Sequence, residues 1–183
     1  MSKPLRRLQE EGAWFARAKD VRLLWVQADG VSRRVTLSYV EKLEYHADNT
    51  SPVILLDAPW AGADGGGLAR AARFNQLFAA KRDALAQAGI EVGAFAAEDP
   101  PDGRLETLGK AIERAGAALR PPLAGLVVVL APPRVEAAEA FVADVQALLD
   151  APSLQAVRWV VIEADSQHLG GLVIQLGAAR ALA

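Results

Sequence analysis

From residue 53 onward, short apolar runs alternate with amphipathic stretches of helical period, and this alternation constrains the fold more than any other feature. Val53 to Asp57 (VILLD), residues 90–95 (IEVGAF), residues 125–131 (GLVVVLA) and Val157 to Glu163 (VRWVVIE) read as strands. Between them, residues 68–88, 104–119, 134–149 and 168–181 read as helices. Their inner stripes include Ala71, Phe74, Phe78 and Leu85 in the first and Leu105, Leu108, Ile112, Ala115 and Leu119 in the second. In the third, Val135, Ala138, Val142, Val145 and Leu149 recur at helical spacing. The run GLVVVLA lacks the in–out alternation of a half-exposed strand, so it should be a central parallel strand covered on both faces. Strands joined in turn by amphipathic helices imply right-handed crossovers. The expected fold is therefore a three-layer α/β/α domain with a mostly parallel sheet of about five strands, of Rossmann-like, flavodoxin-like or P-loop-like topology.

The first 50 residues add a helix over 3–18, a strand over Arg22 to Gln27 and an ambiguous stretch over 31–46. Val31, Arg33, Val35, Leu37 and Tyr39 fit a hairpin return strand. Leu37, Val40, Leu43 and Glu44 fit a helix, which we favour. Asp102 is placed to cap the helix that begins at 104. The chain should form one domain over residues 1–183, complete or the N-terminal fragment of a longer protein.

Composition narrows the chemistry. Of 183 residues, 52% are hydrophobic and 23% charged, as in a folded globular protein. The 20 basic and 22 acidic residues are dispersed, so no electrostatic footprint for nucleic acid is visible. The absence of cysteine excludes disulfides, thiolate metal sites and a cysteine nucleophile, and it fits a cytoplasmic setting. No apolar run approaches the roughly 20 residues of a membrane span.

Chemistry in a parallel sheet is sought beyond the carboxyl ends of the strands. The richest segment runs from Asp57 through Gly62-Ala-Asp64-Gly65-Gly-Gly67 to Arg70. Gly62 and Gly67 have the spacing of a phosphate-binding Walker A loop between a strand and a helix. Leu68 and Ala69 stand where that loop carries its lysine and hydroxyl, and Val127 to Pro132 has no acid to hold magnesium. The same segment resembles the phosphorylation site of response-regulator receiver domains, in which an aspartate ends a strand ahead of a glycine-rich turn; Asp57, Gly62, Asp64 and Gly65 fit that pattern. The resemblance implies a phosphorylatable Asp57 with magnesium. The family's acidic pair would fall on Gln27 and Ala28, its lysine near Ala131, and the interval from Ala28 to Asp57 is too short for its missing strand and helix.

The candidates that follow are Gly62, Asp64, Gly65, Gly67 and Arg70 for an anion, Asp57, Asp165 and His168 for catalysis, and Asp57, Glu163 and Asp165 for a divalent metal. Each has a structural alternative. Glycines make connections, Asp165 or Ser166 can cap the final helix, and His168 would then sit in its first turn. His46 lies in a polar loop, and no GxSxG elbow supports a serine triad. Of the four tryptophans, Trp25 and Trp159 should be core, whereas Trp14 and Trp60 lie off the stripes and are the first interface candidates. These readings converge on a non-catalytic interaction or regulatory module, built on a nucleotide-binding-type fold and needing no cofactor. Its partner is expected to be another protein or a second copy, with neither nucleic acid nor membrane involved. The alternative is a metal- or phosphate-dependent enzyme or switch that uses Asp57, Glu163 and Asp165.

Overall fold

A computed structural model of the chain describes residues 3–28, 30–60, 66–96, 104–163, 169–170 and 181–182. In order, these form α1 (Lys3–Arg17), β1 (Leu23–Gln27), α2 (Arg33–Lys42), β2 (Val53–Leu56), α3 (Gly66–Gln87), α4 (Leu105–Ala118), β3 (Leu126–Leu130), α5 (Ala138–Asp150), β4 (Val157–Glu163) and β5 (Ala181–Leu182). The sheet is parallel throughout, in the order β2-β3-β4-β1-β5.

Why the central strands are apolar without alternation is plain from their surroundings. Every residue of β3 and of β4 is buried. Leu126, Val128 and Leu130 join one core with Ile54, Phe74, Phe78, Ile112, Phe141 and Trp159, beneath α3, α4 and α5. Val127 and Val129 join the other, with Phe15, Leu24, Val40, Leu43 and Ile162, beneath α1 and α2. The period of two thus remains, but both faces are dry. The strand order explains the layering. The path β2-β3-β4 moves one way across the sheet while β1-β2 moves the other. Right-handed crossovers then demand that α2 lie on the opposite face from α3, α4 and α5.

The order differs from the Rossmann order 3-2-1-4-5-6 and the flavodoxin order 2-1-3-4-5. What it shares with all three expected topologies is the three-layer arrangement about a parallel sheet. Residues 31–46 are helical, as favoured, ending in a 3₁₀ turn over Leu43–Tyr45. The fifth strand is not where it was expected. Residues 90–95 do not enter the sheet; Val92 makes a single antiparallel bridge to Leu119, and the Gly93 N–H goes to the Ala118 carbonyl at 2.7 Å. That segment closes the end of α4 instead of extending β2. The fifth strand is β5, so Ala181, expected at the end of a helix, pairs with Leu23. Arg104 holds the N-cap position of α4 with no side-chain cap bond, and Asp102, expected to cap it, lies outside the described residues. In α5 the inner face is Phe141, Val145, Leu148 and Leu149, so the expected stripe is displaced, and Val135 and Ala138 precede or begin the helix.

Two arginines pin helices of opposite layers to the amino end of the sheet. Arg158 of β4 is 5% exposed, stacks on Phe15 and donates to the carbonyls of Phe15, in the last turn of α1, and of Ala18 and Val21 just beyond it. Burial lowers its pKa to about 10, with Asp20 partly opposing that. Arg22 donates to the carbonyls of Leu149 at 2.8 Å and Leu154 at 3.0 Å, where α5 ends. The last carbonyls of a helix have no partners within it, and a cation there also faces the negative end of the helix dipole. Arg158→Met should therefore cost about 3 kcal/mol by stranding those carbonyls. In a chain of this size that lowers Tm by roughly 6–12 °C. Calorimetry showing a loss under about 1 kcal/mol would refute the pinning role.

Candidate functional site

Topology locates the first place to look. β1 leads to α2 on one face, and beyond β4 the chain places Leu169 in the core of the other, so the usual ligand position of an open parallel sheet lies between their carboxyl ends. Gln27, Ala28, Glu163 and the end of β3 at Ala131-Pro132 border it. The first βα turn, where such sheets place a glycine-rich phosphate loop, contains Gly30, Val31 and Ser32 here. Arg33, in the first turn of α2, donates from Nη2 to the Ala131 carbonyl and so ties α2 to the end of β3.

Glu163 is 2% exposed, and its carboxylate is already engaged. Oε2 accepts the Trp25 indole N–H at 2.6 Å and the Leu169 backbone N–H at 3.2 Å. The acid thus fastens the indole of β1 to the chain beyond β4. Asp57 is exposed, one residue past β2. β3 separates β2 from β4, so the backbones of Asp57 and Glu163 stand two interstrand spacings apart, roughly 10 Å. Among the described residues no three metal-ligating side chains gather. Asp165, His168, Gly62, Asp64 and Gly65 lie outside the described residues.

A second cluster stands at the carboxyl end of β2. Trp60 extends the line of that strand by pairing with the segment after β3. Its N–H donates to the Arg134 carbonyl at 2.8 Å, its carbonyl accepts from Glu136 at 3.1 Å, and it bridges in parallel to Val135. The indole N–H donates to Asp144 Oδ2 of α5 at 2.9 Å, and the ring meets Phe141 edge-on at 5.2 Å. On the indole lies the guanidinium of Arg70, 3.9 Å from the ring centroid. Trp60 is therefore core, at 2% exposed, and not the interface residue its position in a loop suggested. Trp14, by contrast, is 39% exposed.

Gly67 falls in the first turn of α3, and Arg70 begins the second. Arg70 is 4% exposed, and its Nε and Nη1 have no hydrogen-bond acceptor. Burial depresses its pKa, and Asp144 partly restores it. Of the expected anion-binding residues, Arg70 is the one placed in an unusual environment. Asp144 was missed because its polar side chain lies beside the apolar stripe of α5, where it reads as solvent-facing. Its spacing from Phe141 places both on one helix face.

No protein family, curated protein or solved structure matches this chain.

The opposite end of the sheet holds a cleft of about 320 Å³ lined by residues including Tyr45, Pro52, Leu85, Ile90 and Leu123, with the Lys81–Glu44 ion pair (2.7 Å) at its side. His46 lies near this end. Its Nδ1 accepts the Asp48 N–H at 3.2 Å, a local turn contact.

An anchoring Glu163 and an exposed Asp57 have different consequences when removed. Glu163→Ala strands two buried donors and should cost about 3 kcal/mol. Asp57→Ala should change stability by less than about 0.5 kcal/mol. Urea denaturation of both variants tests this; equal small effects would exclude the anchoring role of Glu163.

Proposed function

We propose that this protein is a non-catalytic binding or regulatory module, whose recognition face is the carboxyl edge of a nucleotide-binding-type sheet. The observation that carries this reading is the use made of Glu163. In the crevice where such a sheet would do chemistry, the buried acid is engaged by two N–H donors belonging to the fold. Three supporting features accompany it. The turn after β1 leads through Gly30-Val31-Ser32 to Arg33, which reaches the end of β3 instead of lying free for a phosphate. The central strand ends in Ala131-Pro132. Asp57 stands across β3 from Glu163, and no three metal-ligating side chains gather among the described residues.

Exposed apolar side chains favour a protein as the occupant of this edge. The large hydrophobic residues exposed in the described structure include Val31, Val35 and Leu68. Val31 and Val35 flank the start of α2, and Leu68 is in the first turn of α3. Both helices begin at the carboxyl edge. They stand beside β1 and β2 on opposite faces of the sheet, and apolar side chains exposed at one edge offer contact area to a partner. The partner in this reading is another protein or a second copy of the chain, in a cytoplasmic setting. No helix among the described residues is long and apolar enough to cross a membrane.

Turnover assays decide between this module and an enzyme. Nucleoside triphosphates, acyl phosphates and esters, each with and without magnesium, should show no hydrolysis above buffer. Turnover that disappears in Asp57→Ala or Glu163→Gln would overturn the reading in favour of the strand-end acids.

A further inference from the structure

We infer that the start of α3 is an oxyanion site for a small phosphorylated molecule, with Arg70 as its cation. The inference rests on the reading that this edge of the sheet binds rather than reacts. Its starting point is an electrostatic imbalance. Arg70 stays charged at any ordinary pH, yet it is 4% exposed and two of its nitrogens meet no acceptor. A buried guanidinium requires hydrogen-bonded compensation, because its desolvation is costly. The Trp60 face supplies attraction at 3.9 Å but no acceptor, and Asp144 draws on the charge from a distance while its Oδ2 accepts the Trp60 indole N–H. Nε and Nη1 lie on different edges of the guanidinium, so each offers a separate donor to an anion's oxygens.

The surrounding backbone suits the same ligand. α3 runs for 22 residues and has no acidic residue in its first turn, so its positive end is not neutralised from within. The first four N–H groups of a helix lack intrahelical partners. Gly66 and Gly67 open this helix and carry no Cβ to hold an anion away from those donors. The Cα–Cβ bonds of a helix lean toward its amino terminus, and Arg70 stands one turn in from the opening glycines. Arg134, whose carbonyl accepts the Trp60 N–H, adds an exposed cation at the same strand end. Among the described residues, Asp144 is the carboxylate whose charge acts on Arg70.

The full chain should be titrated with inorganic phosphate and with pyrophosphate, against sodium chloride of matched ionic strength. Binding would be followed by calorimetry and by the rise in Tm that a ligand selective for the folded state produces. Saturable binding is expected, at least tenfold weaker in Arg70→Gln and unchanged in Arg73→Gln, an exposed cation on the same helix. Arg70→Met separates a ligand site from a merely structural arginine: in phosphate-free buffer its Tm should equal or exceed that of the parent, since an uncompensated buried charge is gone. A marked loss of Tm in Arg70→Met would show that the fold itself satisfies Arg70 and would overturn the site. So would the absence of saturable phosphate and pyrophosphate binding, or equal binding by Arg70→Gln. Arg70→Lys, which keeps the charge but not the planar fork, should bind several-fold more weakly and serves if Arg70→Gln does not fold. Hydrolysis of pyrophosphate dependent on Arg70 would preserve the site but defeat the non-catalytic reading. A lack of phosphate binding would leave the module standing without this ligand.

Discussion

Two parallel strands with no solvent-facing side set the terms for the rest of this molecule. β3 and β4 are buried along their whole length, so helices must cover both faces, and the chain must cross the sheet in both directions to deliver them. The reversal between the β1 crossover and the later ones follows from that need. It also generates the crevice between β1 and β4. Function, in such a sheet, is positioned by the solution to a burial problem.

Three charged groups among the described residues are buried in this apolar frame, and they are satisfied to different degrees. Arg158 meets three backbone carbonyls and an aromatic face, so its burial joins a helix to the central strand. Glu163 meets an indole and a backbone amide and closes the far end of the same strand. β4 is thus held by a cation at its start and an anion at its end, each consumed by structure. Arg70 has an aromatic face but no acceptor for two of its nitrogens. The contrast matters because desolvating a charge costs the same whether or not partners wait for it.

The architecture was legible in the sequence because burial on two faces leaves an unbroken apolar run, as in Val127 to Leu130. Residues 31–46 resolved as a helix because Thr36, Val40 and Leu43 share its inner face, while Val31 and Val35, core in the hairpin reading, lie in solvent. What the sequence hid were relations across the sheet. IEVGAF has the look of an edge strand, but the end of α4 competes for it and takes Val92 and Gly93. Trp60 looked like a loop residue because the pairing that extends β2 comes from residues 134–136, far along the chain. Arg70 could be picked out as the lone cation after the glycines. Its burial could not, since that depends on Trp60, whose indole N–H is held by α5.

The open flank of β2 shows how this sheet avoids unwanted growth. An edge strand is a template on which another chain can pair, the first step toward aggregation. Here the strand has four residues, with Pro52 directly before it and Pro59 shortly after. The Pro52 carbonyl bonds to Val127, so the amide of Val53 points away from β3, and Glu44 accepts it at 3.2 Å. Of the outward-facing amides in this strand, Leu55 is left for a visiting strand. Proline at either end shortens any ladder that could form. The domain can therefore present an apolar carboxyl edge to a partner while its lateral edge stays unsuited to polymerisation.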